Sequence, residues 1–205
     1  MNLNLENLKK MFTAATAEIS ARENELSALD AVCGDGDHGS AVKGAMRAAN
    51  DAVSKASNLK DAFFDAGFAA MSHSNGSTST LFGSFFMGIS DGIKAGAQEL
   101  GGEELGTAFE SGLSSLRSNT KADVGDKTLM DALVPAVAAM RGSKSVESAF
   151  SAAAEAAEKG AKSTECLAAK FGRAKNLGEK SVGSLDAGAV SISIIFREFE
   201  KALKE

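Results

Sequence analysis

Tryptophan and tyrosine are absent from this 205-residue sequence, proline occurs once (Pro135), and there are two cysteines, Cys33 and Cys166. Each scarcity excludes something. Two cysteines make no disulfide framework and fit a reducing compartment. A single proline leaves little to break helices, and much Ala, Leu, Glu and Lys favours forming them. Positive charge is also in short supply. Lys and Arg number 22 against 27 Asp and Glu, a net charge of −5, and the basic residues are dispersed. That argues against nucleic acid or an anionic membrane as the partner. No run approaches the roughly 18 apolar residues of a membrane span, and Met1–Leu5 lacks the charged-then-apolar pattern of a signal peptide. The expectation is a soluble, cytoplasmic, mostly helical protein, folded as one domain over residues 1–205.

What is plentiful is glycine, 21 residues, and three glycines fall in the most informative stretch, Leu29-Asp30-Ala31-Val32-Cys33-Gly34-Asp35-Gly36-Asp37-His38-Gly39. Asp30, Asp35 and Asp37 lie within eight positions with no Lys or Arg among them. Carboxylates this close repel one another unless a cation sits between them. Asp35 and Asp37, two apart, point the same way from an extended segment, and Asp30, near a helix end, can fold back to join them. Hard oxygen ligands suit Mg²⁺ or Ca²⁺. An EF-hand does not fit, because Asp37 is followed by Gly39 and an apolar helix rather than the remaining loop ligands. A helix starting near Gly39–Ser40 turns its unpaired N–H groups toward the carboxylates, and metal-bridged phosphate suits that gap. Read alone, an acidic turn of this kind is more often simply solvated.

Apolar periodicity lays out eight principal helices and no strand. The first covers 4–28 with a break near Ala21–Glu23. The second is Ser40–Ala56, and the third follows an Asn58 cap and runs through Met71. Leu81–Ala97, Glu103–Ser118, Leu129–Met140 (carrying Pro135), Ser145–Lys170 and Ala189–Lys204 complete the set. The polar stretch Ser72–Thr80 reads as a linker, or else as a second phosphate-facing turn. Residues 171–188 form the longest irregular segment, of the length that functional lids have, with Arg173, Lys175 and Lys180. In an up-and-down array alternate connections share an end. The acidic loop, the Ser/Thr stretch, the 119–128 loop and the 171–188 loop are all odd-to-even connections. They are therefore expected to form one site, suited to a Mg²⁺-bound phosphate ligand such as a nucleotide.

Six strings then stand in order: Gly34-Asp35-Gly36-Asp37-His38-Gly39, Leu81-Phe82-Gly83, Gly125-Asp126-Lys127-Thr128, Gly172-Arg173-Ala174, Leu177-Gly178-Glu179-Lys180-Ser181 and Asp186-Ala187-Gly188-Ala189. On these the chain resembles the ADP-binding L subunits of dihydroxyacetone kinases, from about residue 5 to the end. The resemblance implies a barrel of eight antiparallel amphipathic helices with a nucleotide at one end. It implies two Mg²⁺ ions held by Asp30, Asp35 and Asp37. ADP or ATP would then lie among His38, Gly39, Ser40, Ala41, Thr78, Ser79, Thr120, Leu129, Gly172, Arg173, Lys180, Asp186, Ala187 and Gly188. It implies phosphoryl transfer without a protein nucleophile: bound ADP takes phosphate from a phosphohistidine-carrying multiphosphoryl subunit and passes it to a ketose on a K subunit. Alternatives are an ATP-exchanging subunit for another ketose such as erythrulose, and a non-catalytic, nucleotide-loaded regulatory module. The sequence departs from the family pattern at Asn75-Gly76-Ser77-Thr78-Ser79, at Ala41-Val42, at Lys180 where an Arg is common, and at Ala187 where a Pro is usual.

Other residues have plainer readings. His38, at a helix start, is expected to donate to phosphate, and His73 to end a helix. Cys33 and Cys166 are expected to be small buried side chains; no zinc spacing links them to the histidines. Phe63, Phe64, Phe68, Phe82, Phe85 and Phe86 are expected in the core. Asp126 and Lys127 are expected to support the structure at the nucleotide end.

Overall fold

The computed structural model describes residues 1–74 and 76–204; Asn75 of the polar stretch lies outside the described residues. Nine α-helices are present among them: α1 (Leu5–Ala21), α2 (Glu23–Cys33), α3 (His38–Lys55), α4 (Leu59–His73), α5 (Ser77–Asp91), α6 (Gly102–Arg117), α7 (Met130–Ala139), α8 (Val146–Ser163) and α9 (Ala187–Ala202). The all-α expectation holds, with nine helices in place of eight. The first expected helix is broken at Arg22, whose φ of −100° and ψ of 15° leave the helical region. Its second half, α2, extends to Cys33 and carries Asp30 inside the helix. Two residues each also form β1 (Leu3–Asn4) and β2 (Glu99–Leu100), a short antiparallel pair the periodicity did not reveal.

Side-chain caps set several helix starts. Asn4 Oδ1 accepts from Asn7 N–H (2.9 Å) and Asn58 Oδ1 from Asp61 N–H (2.9 Å). Such caps are worth about 1 kcal/mol each. Neighbouring helices close a ring: α1 packs on α3, and α3, α4, α5 and α6 follow in order. Helices α7 and α8 continue it to α9, which packs back on α1. The interior is filled by phenylalanine. Phe12, Phe63, Phe86, Phe109, Phe150, Phe196 and Phe199 are essentially inaccessible, and several pairs meet edge to face, such as Phe109 and Phe150 with ring centroids 5.6 Å apart. With no Tyr or Trp among them, these rings bring no hydrogen-bonding group into the core, and each favourable pair adds roughly 0.5–1.5 kcal/mol beyond its buried area.

Two of the expected core phenylalanines lie outside it. Phe64 and Phe68 are 46% and 60% exposed. Helix α4 is apolar around much of its circumference. Phe63, Ala66, Gly67 and Ala70 face the bundle, leaving the i, i+4 pair Phe64 and Phe68 on the far side. The cysteines depart in the same direction: Cys166 is exposed and Cys33 half-buried.

At Gly39 the start of α3 presses on α2. A Cβ there would lie 2.1 Å from the Glu23 carbonyl oxygen and 2.9 Å from the Ser27 nitrogen, backbone atoms that cannot rotate away. Gly39→Ala is expected to destabilise the protein by about 1–3 kcal/mol in urea unfolding, because it must push α2 off α3. An unchanged unfolding midpoint would show that the α2–α3 contact yields freely.

Candidate functional site

Four connections meet at one end of the bundle around a cavity of about 460 Å³. Its walls come from the acidic loop (Asp30, Gly34, Asp35, Asp37, His38), the start of α5 (Ser77, Thr78, Thr80, Leu81), the 119–130 segment, and the 171–188 segment. The parity of the connections thus brings the polar loops together. Of the residues expected at the site, His38, Thr78, Thr120, Leu129, Gly172, Arg173, Asp186, Ala187 and Gly188 line this cavity together with Asp30, Asp35 and Asp37. Gly39, Ser40, Ala41, Ser79 and Lys180 do not line it. Ser40 Oγ turns back to the Asp37 carbonyl (2.8 Å), and Ser79 is fully buried with its Oγ 2.8 Å from Ser74 Oγ. Lys180 lies on a short 3₁₀ turn, Gly178–Ser181, pointing outward.

The acidic loop is folded by one of its own carboxylates. Asp30 Oδ2 accepts from Gly36 N–H (2.8 Å) and Asp37 N–H (3.1 Å), drawing the loop back over the last turn of α2. Gly36, at φ 78°, supplies the left-handed turn this needs. Asp30, Asp35 and Asp37 consequently each offer an oxygen within 4.8 Å of the others, the one such group among the described residues. Burial, then the charges of Asp35 and Asp30, raise the Asp37 carboxyl above its ordinary value. The guanidinium of Arg173 pairs with Asp35 from the 171–188 segment. That pair is largely exposed and so weakly held. Three acceptor-only oxygens with too little positive charge among them fit a hard divalent cation such as Mg²⁺, and lack the nitrogen or sulfur ligands that zinc favours.

His38 stands at the start of α3 and lines the cavity. Ser191 Oγ donates to the Ala187 carbonyl (2.9 Å), so the 2.7 Å contact with His38 Nε2 is a donation from the ring N–H. Burial lowers the His38 pKa, with the Asp30 charge opposing it, and so favours the neutral ring. Nδ1 is then an acceptor, and Thr78 Oγ1 stands 3.4 Å from it. Both ring nitrogens thus have partners within the protein, and Thr78 stands beside the ring on the cavity wall. Of the polar stretch read as a linker or else a phosphate-facing turn, Ser72 and His73 end α4, Gly76 precedes α5, and Ser77–Thr80 form the first turn of α5, four residues ahead of the expected start at Leu81. Its unpaired N–H groups lie beside the acidic loop, a setting that favours anions.

The opposite wall rests on residues that sequence reading did not assign to the site. Asp131 is buried and caps the 119–130 segment, its carboxylate accepting from Gly125 N–H (2.6 Å) and Thr128 N–H (2.8 Å). Asn119, Lys127, Thr128 and Phe171 also line the cavity. Lys127 and Thr128 stood within one of the six strings, and Asn119 and Phe171 open two of the loops expected at the site without having been singled out there. Asp186 caps α9, accepting from Ala189 N–H (2.7 Å). Its carboxyl is pushed up to about 7, chiefly by burial, with Asp131 and Asp30 adding to the rise and Lys127 opposing it.

Against known proteins, a family model described as the DAK2 domain matches residues 32–201. The chain belongs to that family. It is 34% identical, with both chains covered in full, to the PEP-dependent dihydroxyacetone kinase ADP-binding subunit DhaL of Escherichia coli. It is 33% identical to the L-erythrulose 1-kinase of Mycolicibacterium smegmatis, over 85% of this chain and 32% of that enzyme. Among solved structures, the dihydroxyacetone kinase of C. freundii in complex with AMP-PNP and Mg²⁺ superposes with a TM-score of 0.77 at 26% identity, over 98% of this chain and 34% of that one. These relatives are kinases or kinase subunits, so the DAK2 chain described here falls among phosphotransferases. No described helix is long and apolar enough to cross a membrane.

Proposed function

We propose that this single-domain chain is the ADP-binding L subunit of a cytoplasmic dihydroxyacetone kinase. Phosphate would be relayed through ADP held in the cavity, from a phosphohistidine-carrying donor subunit to a small ketose held by a separate K subunit. The observation that carries the reading is the meeting of an acidic trio and a helix N-terminus across one cavity. The chain matches a DhaL subunit end to end, but only a third of the erythrulose kinase.

Asp30, Asp35 and Asp37 would hold two Mg²⁺ ions. When bound, these would neutralise phosphate charge and align the attacking and leaving oxygens. The chain's own residues do the rest. Thr78, oriented by His38, donates to a phosphate oxygen, and the first turn of α5 presents its N–H groups to the same charge. Arg173 exchanges Asp35 for phosphate, a better bidentate partner, when the nucleotide enters. Thr120, Leu129, Asp186, Ala187 and Gly188 form the wall for the adenosine. Gly39, Ser40 and Ala41 reach the phosphates only through the backbone at the start of α3. Ser79 and Lys180 enter only if the 171–188 segment and the start of α5 move on binding.

Mass spectrometry of the protein as purified, under native conditions, tests the reading. The expected species carries one ADP and two divalent ions, and that ADP does not exchange with free ATP within minutes. With K subunit, phosphohistidine donor and dihydroxyacetone added, product is expected to form at the expense of the donor. Rapid exchange with ATP would favour a kinase subunit fed directly by ATP. Retained ADP with no product would favour a regulatory module.

A further inference from the structure

Among the described residues Lys127 is the one buried cation, 3% exposed, and it is also the one non-glycine residue with positive φ, 57°. A lysine in that backbone region is strained, and a buried ammonium needs partners. Its Nζ has two, the carbonyl oxygens of Thr164 (2.6 Å) and Ser184. Thr164 follows the last residue of α8, and Ser184 stands just before α9. The ammonium therefore grips both ends of the whole segment that carries Phe171, Gly172 and Arg173 to the cavity.

Further bonds tie the same place together. Thr164 Oγ1 accepts from Asp186 N–H (2.9 Å), Gly183 N–H donates to the Glu165 carbonyl (2.8 Å), and Lys170 N–H donates to the Asp126 carbonyl (3.2 Å). These are neutral backbone or hydroxyl contacts, individually weaker than a charge-assisted one, and the exposed Lys170 ammonium adds bonds to Asp126 Oδ1 (2.9 Å) and the Gly125 carbonyl (2.9 Å). Removing the Lys127 ammonium would leave the Ser184 carbonyl without its donor and the Thr164 carbonyl with only Leu167 N–H (3.2 Å). It would also take away the cation whose charge opposes the rise in the Asp186 pKa on the cavity wall.

We propose that Lys127 is the positioning residue that clasps the segment between Thr164 and Ser184 over the cavity, and so aims Arg173 at the acidic loop. It touches neither phosphate nor metal in this role. It acts through the segment it holds, and the strained backbone at Lys127 brings the ammonium to the junction of the two stems. The consequence for nucleotide residence rests on the function proposed above; the consequence for the segment itself does not.

The test compares wild type, Lys127→Met and Lys127→Arg. Limited trypsin cleavage after Arg173, Lys175 and Lys180 is followed by mass, together with the rate at which Mg²⁺-ADP leaves. Lys127→Met is expected to keep its helical circular dichroism. Its cleavage within the segment, and its ADP release, should each run at least about tenfold faster, the scale of a lost charge-assisted bond. Lys127→Arg is expected to restore both to near wild type, which a purely space-filling role would not require. Should Lys127→Met fail to fold, Lys127→Gly removes the ammonium and the backbone strain together, and the same cleavage rates decide. Cleavage of the folded ammonium-less variant at the wild-type rate overturns the proposal, as does Lys127→Arg cutting as fast as Lys127→Met. If wild type retains no ADP at all, the nucleotide reading fails while the cleavage comparison still judges the clasp.

Discussion

Replacing Asp37 by Asn is expected to make the metal-free protein slightly more stable while removing its hold on Mg²⁺-nucleotide. The two effects have opposite signs because one carboxylate does two things. Without a cation, Asp37 is penalised by burial and by Asp35 and Asp30, which is why its pKa lies above the ordinary value. Asparagine relieves that repulsion and keeps an oxygen in place; a gain of ~0.5 kcal/mol is the scale of like-charge contacts near a surface. With a divalent ion present the same charge becomes a ligand. Loss of supporting groups around metal sites costs roughly 10–100-fold in affinity, and loss of an anionic ligand itself should cost at least ~100-fold. Urea unfolding of the stripped protein and titration calorimetry with Mg²⁺-ADP measure the two sides. A variant that unfolds earlier when stripped, yet binds Mg²⁺-ADP as wild type does, would show that the trio is not a metal site.

The same acidic loop explains why part of this site was legible in the sequence. Asp30, Asp35, Gly36 and Asp37 act on one another across seven positions, so their geometry is local, and residue types plus spacing suffice to recover it. The Asn58 cap was legible for the same reason. The end of the bundle at which the loops meet followed from counting connections, and survived the split of the first helix at Arg22 because α1 and α2 enter that count as one bent element. What escaped depends on partners far away in sequence. Lys127 meets Thr164 and Ser184, and His38 meets Ser191, across 37, 57 and 153 positions. No local pattern announces such pairings. The start of the Leu81 helix was set four residues late because Ser and Thr favour turns in isolation, whereas here Ser77–Thr80 form the first turn of a helix whose remaining residues are strongly apolar. Phe64 and Phe68 were misplaced because hydrophobicity alone cannot say which side of an apolar helix meets the core.

Asp186 supplies the second large effect, and it appears as a dependence on pH. Its folded-state pKa of about 7 lies well above the ordinary carboxylate value of 3.8. The folded protein therefore binds this proton more tightly than the unfolded chain does. The stabilisation from that proton is fully present below about pH 4 and is lost as pH rises through about 7. A shift of about three units sets a ceiling near 4 kcal/mol. Asp186 borders the open cavity, so solvent there is expected to reduce the effect to about 1–2 kcal/mol. Asp186→Asn keeps an oxygen to accept from Ala189 N–H at the start of α9, but cannot ionise. Relative to wild type, this variant should gain about 1–2 kcal/mol between pH 5 and pH 8 in nucleotide-free urea unfolding, since wild type alone bears the cost of the charge. Taking the difference between the two proteins removes the background of other titrating groups. A wild-type minus variant difference that stays flat from pH 4 to 8 would mean that Lys127 holds Asp186 ionised throughout. The clasp and the cavity wall would then share one ion pair instead of a protonated acid.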